Sequence, residues 1–116
     1  MKLCIALTGL VIAATATADI YQYEDCDGNG TLLLTELDAE PGVDLSGLYL
    51  GCAELTDADL PHATLTGANL TDAILYYADL TDANLLWAEL HNADLTDANL
   101  TNAYLYYADL SYATLT

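Results

Sequence analysis

From residue 43 onward the apolar positions recur with a period of five. Leucine occupies every fifth residue from Leu45 to Leu115, fifteen in all, and alanine stands two residues before each from Ala53 to Ala113. Only Val43 and Leu48 hold the alanine position otherwise. A helix would advance each leucine by about 140° per repeat, so no single face would collect them. On a flat strand an odd period would send successive leucines to alternate faces. One geometry keeps them together: the chain turns a corner once per repeat and winds round an axis, leucine inward and alanine where space is tight. The other three positions hold mainly Asp, Asn, Thr, Tyr and Gly, a solvated and turn-rich surface. Short repeats of this kind predict a solenoid. Each buried leucine contributes about 1.5–3 kcal/mol, so the inner column is a sufficient core for a short chain.

The repeats read Ala-Asp-Leu-Thr-Asp at 78–82, Ala-Asn-Leu-Thr-Asn at 98–102, and relatives of these. Residues 43–116 thereby resemble the pentapeptide-repeat proteins, whose motif is A-(D/N)-L-x-x. The resemblance implies an all-β solenoid: a right-handed quadrilateral β-helix of about four coils, with four pentapeptides per coil. Four-sidedness comes from the resemblance, since the period alone fixes only a five-residue face. On that stacking, residues twenty apart lie about 4.8 Å from each other and the outward side chains form four walls.

One wall carries Asp59, Asp79 and Asn99 beside His62, Asp82 and Asn102, and is acidic. A second carries Glu54, Ile74 and Asp94 beside Asp57, Tyr77 and Asp97. The third has Asn69, Glu89 and Asp109 beside Thr71, His91 and Ser111. The fourth stacks Thr66, Leu86 and Tyr106 beside Gly67, Trp87 and Tyr107, with Tyr104 nearby. Leu86, Trp87, Tyr104, Tyr106 and Tyr107 form the candidate interaction patch, because Tyr and Trp combine a large apolar area with a polar handle. The competing reading is an aromatic ladder that only stiffens adjacent coils.

Ahead of the repeats, residues 1–18 read as a secretory signal peptide. Lys2 is followed by an apolar run from Leu3 to Ala14 and by Ala16-Thr17-Ala18 as the cleavage site. The run is too short to span a bilayer, so no membrane anchor is expected. Residues 19–42 are expected to form a loop and short-helix cap. Within them Asp25, Asp27, Asn29 and Glu36 place oxygens at positions 1, 3, 5 and 12 of a twelve-residue loop, with Gly30 at position 6 and the Thr31 carbonyl at position 7. The segment resembles an EF-hand loop, which implies a Ca2+ ion held by Asp25, Asp27, Asn29, Thr31 and Glu36. Leu33 departs from the polar residue usual at position 9, and the exiting helix could run only from about Leu34 to Glu40 before Pro41-Gly42. The alternative is an acidic, glycine-rich turn without a tightly bound ion.

Charge narrows the partners. The sequence has 18 Asp and Glu against one Lys or Arg, Lys2, so loss of the leader takes the net charge from −17 to −18. Such a surface excludes direct nucleic-acid binding, which requires Lys and Arg to neutralise phosphates. It suits cations or basic partners. Cys26 and Cys52 remain after cleavage, and in an oxidising compartment they can close a disulfide loop of about 26 residues contributing about 3 kcal/mol. His62 and His91 fall on different walls with no Ser or Cys poised beside either, so catalysis is not expected.

The function expected is a secreted, non-enzymatic structural or protein-binding scaffold, calcium-stabilised at its N-terminal cap. It would bind an unknown protein partner or self-associate through the aromatic wall or the C-terminal coil. A DNA-mimicking inhibitor of an enzyme such as gyrase is the family-derived alternative, although Ile74, Tyr77 and Tyr112 break the acidic rows. Ice or carbohydrate binding is a weaker one, since no uninterrupted threonine ladder extends past Thr81 and Thr101.

Overall fold

The computed structural model of the chain describes residues 4–7, 10–13, 19–21 and 33–116. Each five-residue repeat closes in a hydrogen-bonded turn. The N–H three residues after each leucine donates to that leucine's carbonyl, from Leu48 to Leu45 at 3.3 Å to Ala113 to Leu110 at 3.0 Å. The residue two after each leucine has a positive φ, from Gly47 at 65° through Asp82 at 56° to Tyr112 at 61°. A bond from i+3 to i with positive φ at i+2 has the sense of a type II turn. The corner recurs at every repeat.

Corners of this form allow coils to stack. Parallel bridges join residues twenty apart on four successive faces: Asp44 to Thr64, Tyr49 to Asn69, Glu54 to Ile74, and Asp59 to Asp79. The same spacing continues through Asp94 and Thr114. At one face the Leu45 N–H donates to the Thr64 carbonyl at 2.7 Å, Thr64 to Val43 at 2.8 Å, and Gly47 to Thr66 at 2.9 Å. A turn thus consumes one backbone bond per repeat, and the neighbouring coils absorb most of the rest.

The every-fifth leucines from Leu45 to Leu95 are buried, together with the alanines from Ala53 to Ala93. Leu100, Leu105 and Leu110 are partly buried against the same core, and Leu115 is 51% exposed. Ile20 and Ala39 join this core cluster from the N-terminal side, so the segment before the repeats contributes apolar cover to the first coil.

The N-terminal segment differs from expectation in one respect. Instead of a short helix over 34–40, strand β4 (Leu33–Asp38) pairs antiparallel with β3 (Asp19–Tyr21). Asp19 faces Asp38, Ile20 faces Thr35 and Tyr21 faces Leu33, with a register shift at each step. Seven residues make fewer than two helical turns and barely recover the cost of nucleation. The β3 edge instead offers the segment a ladder. Pro41-Gly42 does not stop a helix either. It forms the first corner, with the Val43 N–H on the Glu40 carbonyl at 3.1 Å and Gly42 at φ 76°. Proline at i+1 and glycine at i+2 are what such a turn favours. Strands β1 (Cys4–Leu7) and β2 (Leu10–Ala13) form a separate antiparallel pair, Cys4 opposite Ala13. Asp25, Cys26, Asp27, Asn29 and Thr31 of the expected calcium loop and disulfide lie outside the described residues, and Glu36 falls in β4.

Candidate interaction surface

Most outward residues are occupied in making corners. The residue before each leucine is often Asp or Asn, and its side-chain oxygen accepts the N–H two residues on. Asp79 accepts from the Thr81 N–H at 2.9 Å, Asp94 from Thr96 at 3.0 Å, Asn99 from Thr101 at 3.1 Å and Asp109 from Ser111 at 2.9 Å. Thr81, Thr96, Thr101 and Ser111 add a hydroxyl bond to the same oxygen, at 2.5–2.6 Å. These side-chain bonds mimic a backbone turn and fix the bend. The hydroxyl donors, followed by the N–H, hold the Asp44, Asp79, Asp94 and Asp109 carboxyls below the usual carboxylate range.

Between coils, asparagine side chains bridge to the stacked neighbour. The Asn69 amide donates to Glu89 at 2.7 Å. The Asn99 amide donates to Thr81 Oγ1 at 2.8 Å and approaches Asp79 at 3.3 Å. His62 lies 3.8 Å from Asp82 on the same wall. Among the described residues, no three His, Cys, Asp or Glu side chains converge on a metal position. The acidic wall is a laddered face, bridged by Asn99 and His62.

A serine does stand beside a histidine, contrary to the sequence reading: His91 Nδ1 is 3.0 Å from Ser111 Oγ. The Ser111 hydroxyl, however, gives its proton to Asp109 at 2.6 Å. His91 can then only donate to the serine oxygen. An imidazole that does not receive the hydroxyl proton does not activate a nucleophile. Tyr112 packs edge-on against His91 at 5.3 Å and completes the ladder.

The aromatic corner is built differently. Trp87 and Tyr107 stack with centroids 4.1 Å apart and planes 14° apart. Tyr107 meets Tyr106 at 4.0 Å, and Tyr106 meets Tyr104 at 6.2 Å. Four of the five predicted patch residues thus form one connected cluster, and half-buried Leu86 shares its column with Tyr106. Positive φ is filled by Asp or Asn at 57, 72, 82, 92, 97 and 102 and by Gly at 42, 47 and 67, residues suited to it. Tyr77, Trp87, Tyr107 and Tyr112 hold the same conformation. For such side chains the left-handed region costs about 1–2 kcal/mol each. The sequence reading missed a further pair: Tyr76 and Tyr77 meet edge-on at 4.1 Å, and their hydroxyls hydrogen-bond at 3.3 Å. Adjacent tyrosines at one corner were the available signal. Cys52 is buried at another corner, φ 56°.

The family model for pentapeptide repeats matches residues 42–75, 49–85 and 83–116 in eight copies. The chain belongs to the pentapeptide-repeat family. Its coils are those of the right-handed quadrilateral β-helix formed by similar solved structures. A pentapeptide repeat protein from the thylakoid lumen of Arabidopsis thaliana is 36% identical, covering 67% of this chain and 55% of its own, with a TM-score of 0.65. One from the cyanobacterium Cyanothece 51142 is 37% identical over 63% of this chain and 50% of its own, at 0.62. A third, from Nostoc PCC 7120, is 35% identical over 65% of this chain and 74% of its own, at 0.53. The chain therefore spans about half the length of the first two solved relatives. No curated protein matches it.

Proposed function

We propose that this pentapeptide-repeat protein is an exported, non-enzymatic scaffold that binds a protein through the corner of Leu86, Trp87, Tyr104, Tyr106 and Tyr107. The observation that carries the reading is where the aromatics sit. Trp87 and Tyr107 occupy left-handed corner positions that Asn, Asp or Gly fill at nine of the fifteen described corners, and both residues are 57% exposed. A corner optimised for the turn would not choose them. Tyr and Trp are, in contrast, the residues that dominate binding energy at protein interfaces.

Export is supported by the charged, apolar and A-x-A order of residues 1–18, and by a similar protein's residence in the thylakoid lumen. A Cys26–Cys52 bridge would suit that compartment. The Cys52 sulfur is engaged already. The ligand spacing of Asp25, Asp27, Asn29, Thr31 and Glu36 supports a calcium-braced cap. Without a helix after Glu36 to reorient, the ion's role is structural.

The test is affinity capture from an extracytoplasmic fraction, comparing the wild-type chain with Tyr106→Ser/Tyr107→Asn of equal melting temperature. A partner retained by the first and lost by the second is expected. Identical retention by both would remove this corner as the contact surface.

A further inference from the structure

We propose that the step beside Trp87 is a stacking notch for a guanidinium group, supplied by an arginine of a basic protein segment docked on the aromatic corner. The inference rests on the interface reading above and adds the partner's chemistry.

Four corner residues stack in one column: Gly47, Gly67, Trp87 and Tyr107. Backbone bonds fix their order along the axis, the Gly47 N–H on the Thr66 carbonyl, Gly67 on Leu86 and Trp87 on Tyr106. Tyr107 lies nearly parallel to Trp87 and covers one face of the indole. The opposite face looks toward Gly67, one coil step of about 4.8 Å away. A Cβ added at Gly67 or Gly47 would meet nothing within 4 Å. The indole therefore ends a ring stack with one face uncovered and a floor of bare backbone. No other described corner has this form. Tyr77 stands between Asp57 and Asp97 in its column, and Tyr112 follows Asn92.

A flat group one ring thick fits such a step, and the charge of the chain selects its sign. Trp is the best aromatic acceptor for a cation over its face. Glu89, half-buried and bonded to the Asn69 amide, lies on the face after this corner, and exposed Asp44 on the face before it. The repeats contain no Lys or Arg of their own to occupy the notch. Guanidinium is planar, weakly hydrated and stacks on rings, whereas ammonium is a compact, strongly hydrated point charge. Arginine should therefore be preferred over lysine at equal charge.

Trp87 is the chain's single tryptophan, so its fluorescence reports the notch directly. Acetylated tri-arginine amide and tri-lysine amide would be titrated into the full chain at low salt. The arginine peptide is expected to shift Trp87 emission at about fivefold lower concentration than the lysine peptide. Gly67→Tyr, which extends the ring stack into the notch, should abolish the difference. Gly67→Asn, which suits the left-handed backbone, should reduce it and serves if the tyrosine variant folds poorly. Equal responses to the two peptides, an unchanged preference in both Gly67 variants, or a stronger response to neutral cellotriose would each overturn the proposal. None of these results would touch the capture experiment on Tyr106 and Tyr107, so notch and interface fail separately.

Discussion

Thr81 gives both its backbone N–H and its hydroxyl to one carboxylate oxygen of Asp79, at 2.9 and 2.5 Å. The same device closes the corner at Asp94 and Thr96. Because these donors hold the folded carboxyls below their unfolded value near 3.9, their stabilisation is complete above about pH 4. It is lost as pH falls through the folded pKa. Thr81→Val/Thr96→Val should therefore melt a few degrees below wild type at pH 7, the effect being modest for groups only half-buried. The gap should narrow at pH 2. A gap unchanged between the two pH values would show that the hydroxyls act by some other route.

The leucine column makes a graded prediction. Leu80 is buried near the middle of the stack, whereas Leu115 is 51% exposed. Leu80→Ala should cost about 2–5 kcal/mol in denaturant unfolding, and Leu115→Ala well under half of that. Leu80→Arg should leave no cooperative transition, since coils depend on their neighbours. Similar losses at 80 and 115 would contradict the burial pattern.

Tyr77 offers an alkaline probe. The hydrogen bond that holds its proton against the Tyr76 hydroxyl, then the charge of Tyr76, then that of Asp97 push its phenol up to about 12. A raised folded pKa gives stabilisation that holds below the unfolded value near 10 and fades as pH rises through 12. Ultraviolet titration should show a late tyrosine component that Tyr76→Phe moves back toward 10. A late component that survives Tyr76→Phe would assign the shift elsewhere.

For the cap, calcium should raise the melting temperature of the chain beginning at Asp19, and chelation should reverse the rise. Glu36→Gln should weaken the response at least tenfold in calcium concentration, because that residue would supply both of its carboxylate oxygens. Identical melts with calcium and with chelator would reduce Asp25–Glu36 to an acidic turn.

The solenoid was legible because one residue type, leucine, repeats on a period that no helix or flat strand can bury. The corners were only half legible. Asp79 and Thr81 are plain in sequence, but their shared oxygen follows from a backbone that the period does not specify. The cap misled for a physical reason: Leu34 to Glu40 suits a short helix or a strand equally, and its pairing with β3 decided between them. His91 and Ser111 were placed on one wall, yet their contact and the direction of the serine proton needed coordinates. At Trp87 the sequence showed an aromatic cluster but not that its corner backbone is left-handed, nor that Gly67 leaves one ring face open.

That last point sets the most direct test. The Trp87–Tyr107 stack is worth about 0.5–1.5 kcal/mol. Two bulky residues in left-handed corners cost about 1–2 kcal/mol each. If the aromatics are there to bind and not to hold the coils, replacing them with residues that suit the turn should not weaken the fold. Thermal melting of Trp87→Asn/Tyr107→Asn is expected to match or exceed wild type. A melting temperature lower by more than about 5 °C, beyond about 1 kcal/mol for a domain of this size, would make the corner a stiffening ladder and remove the reason for reading it as a binding surface.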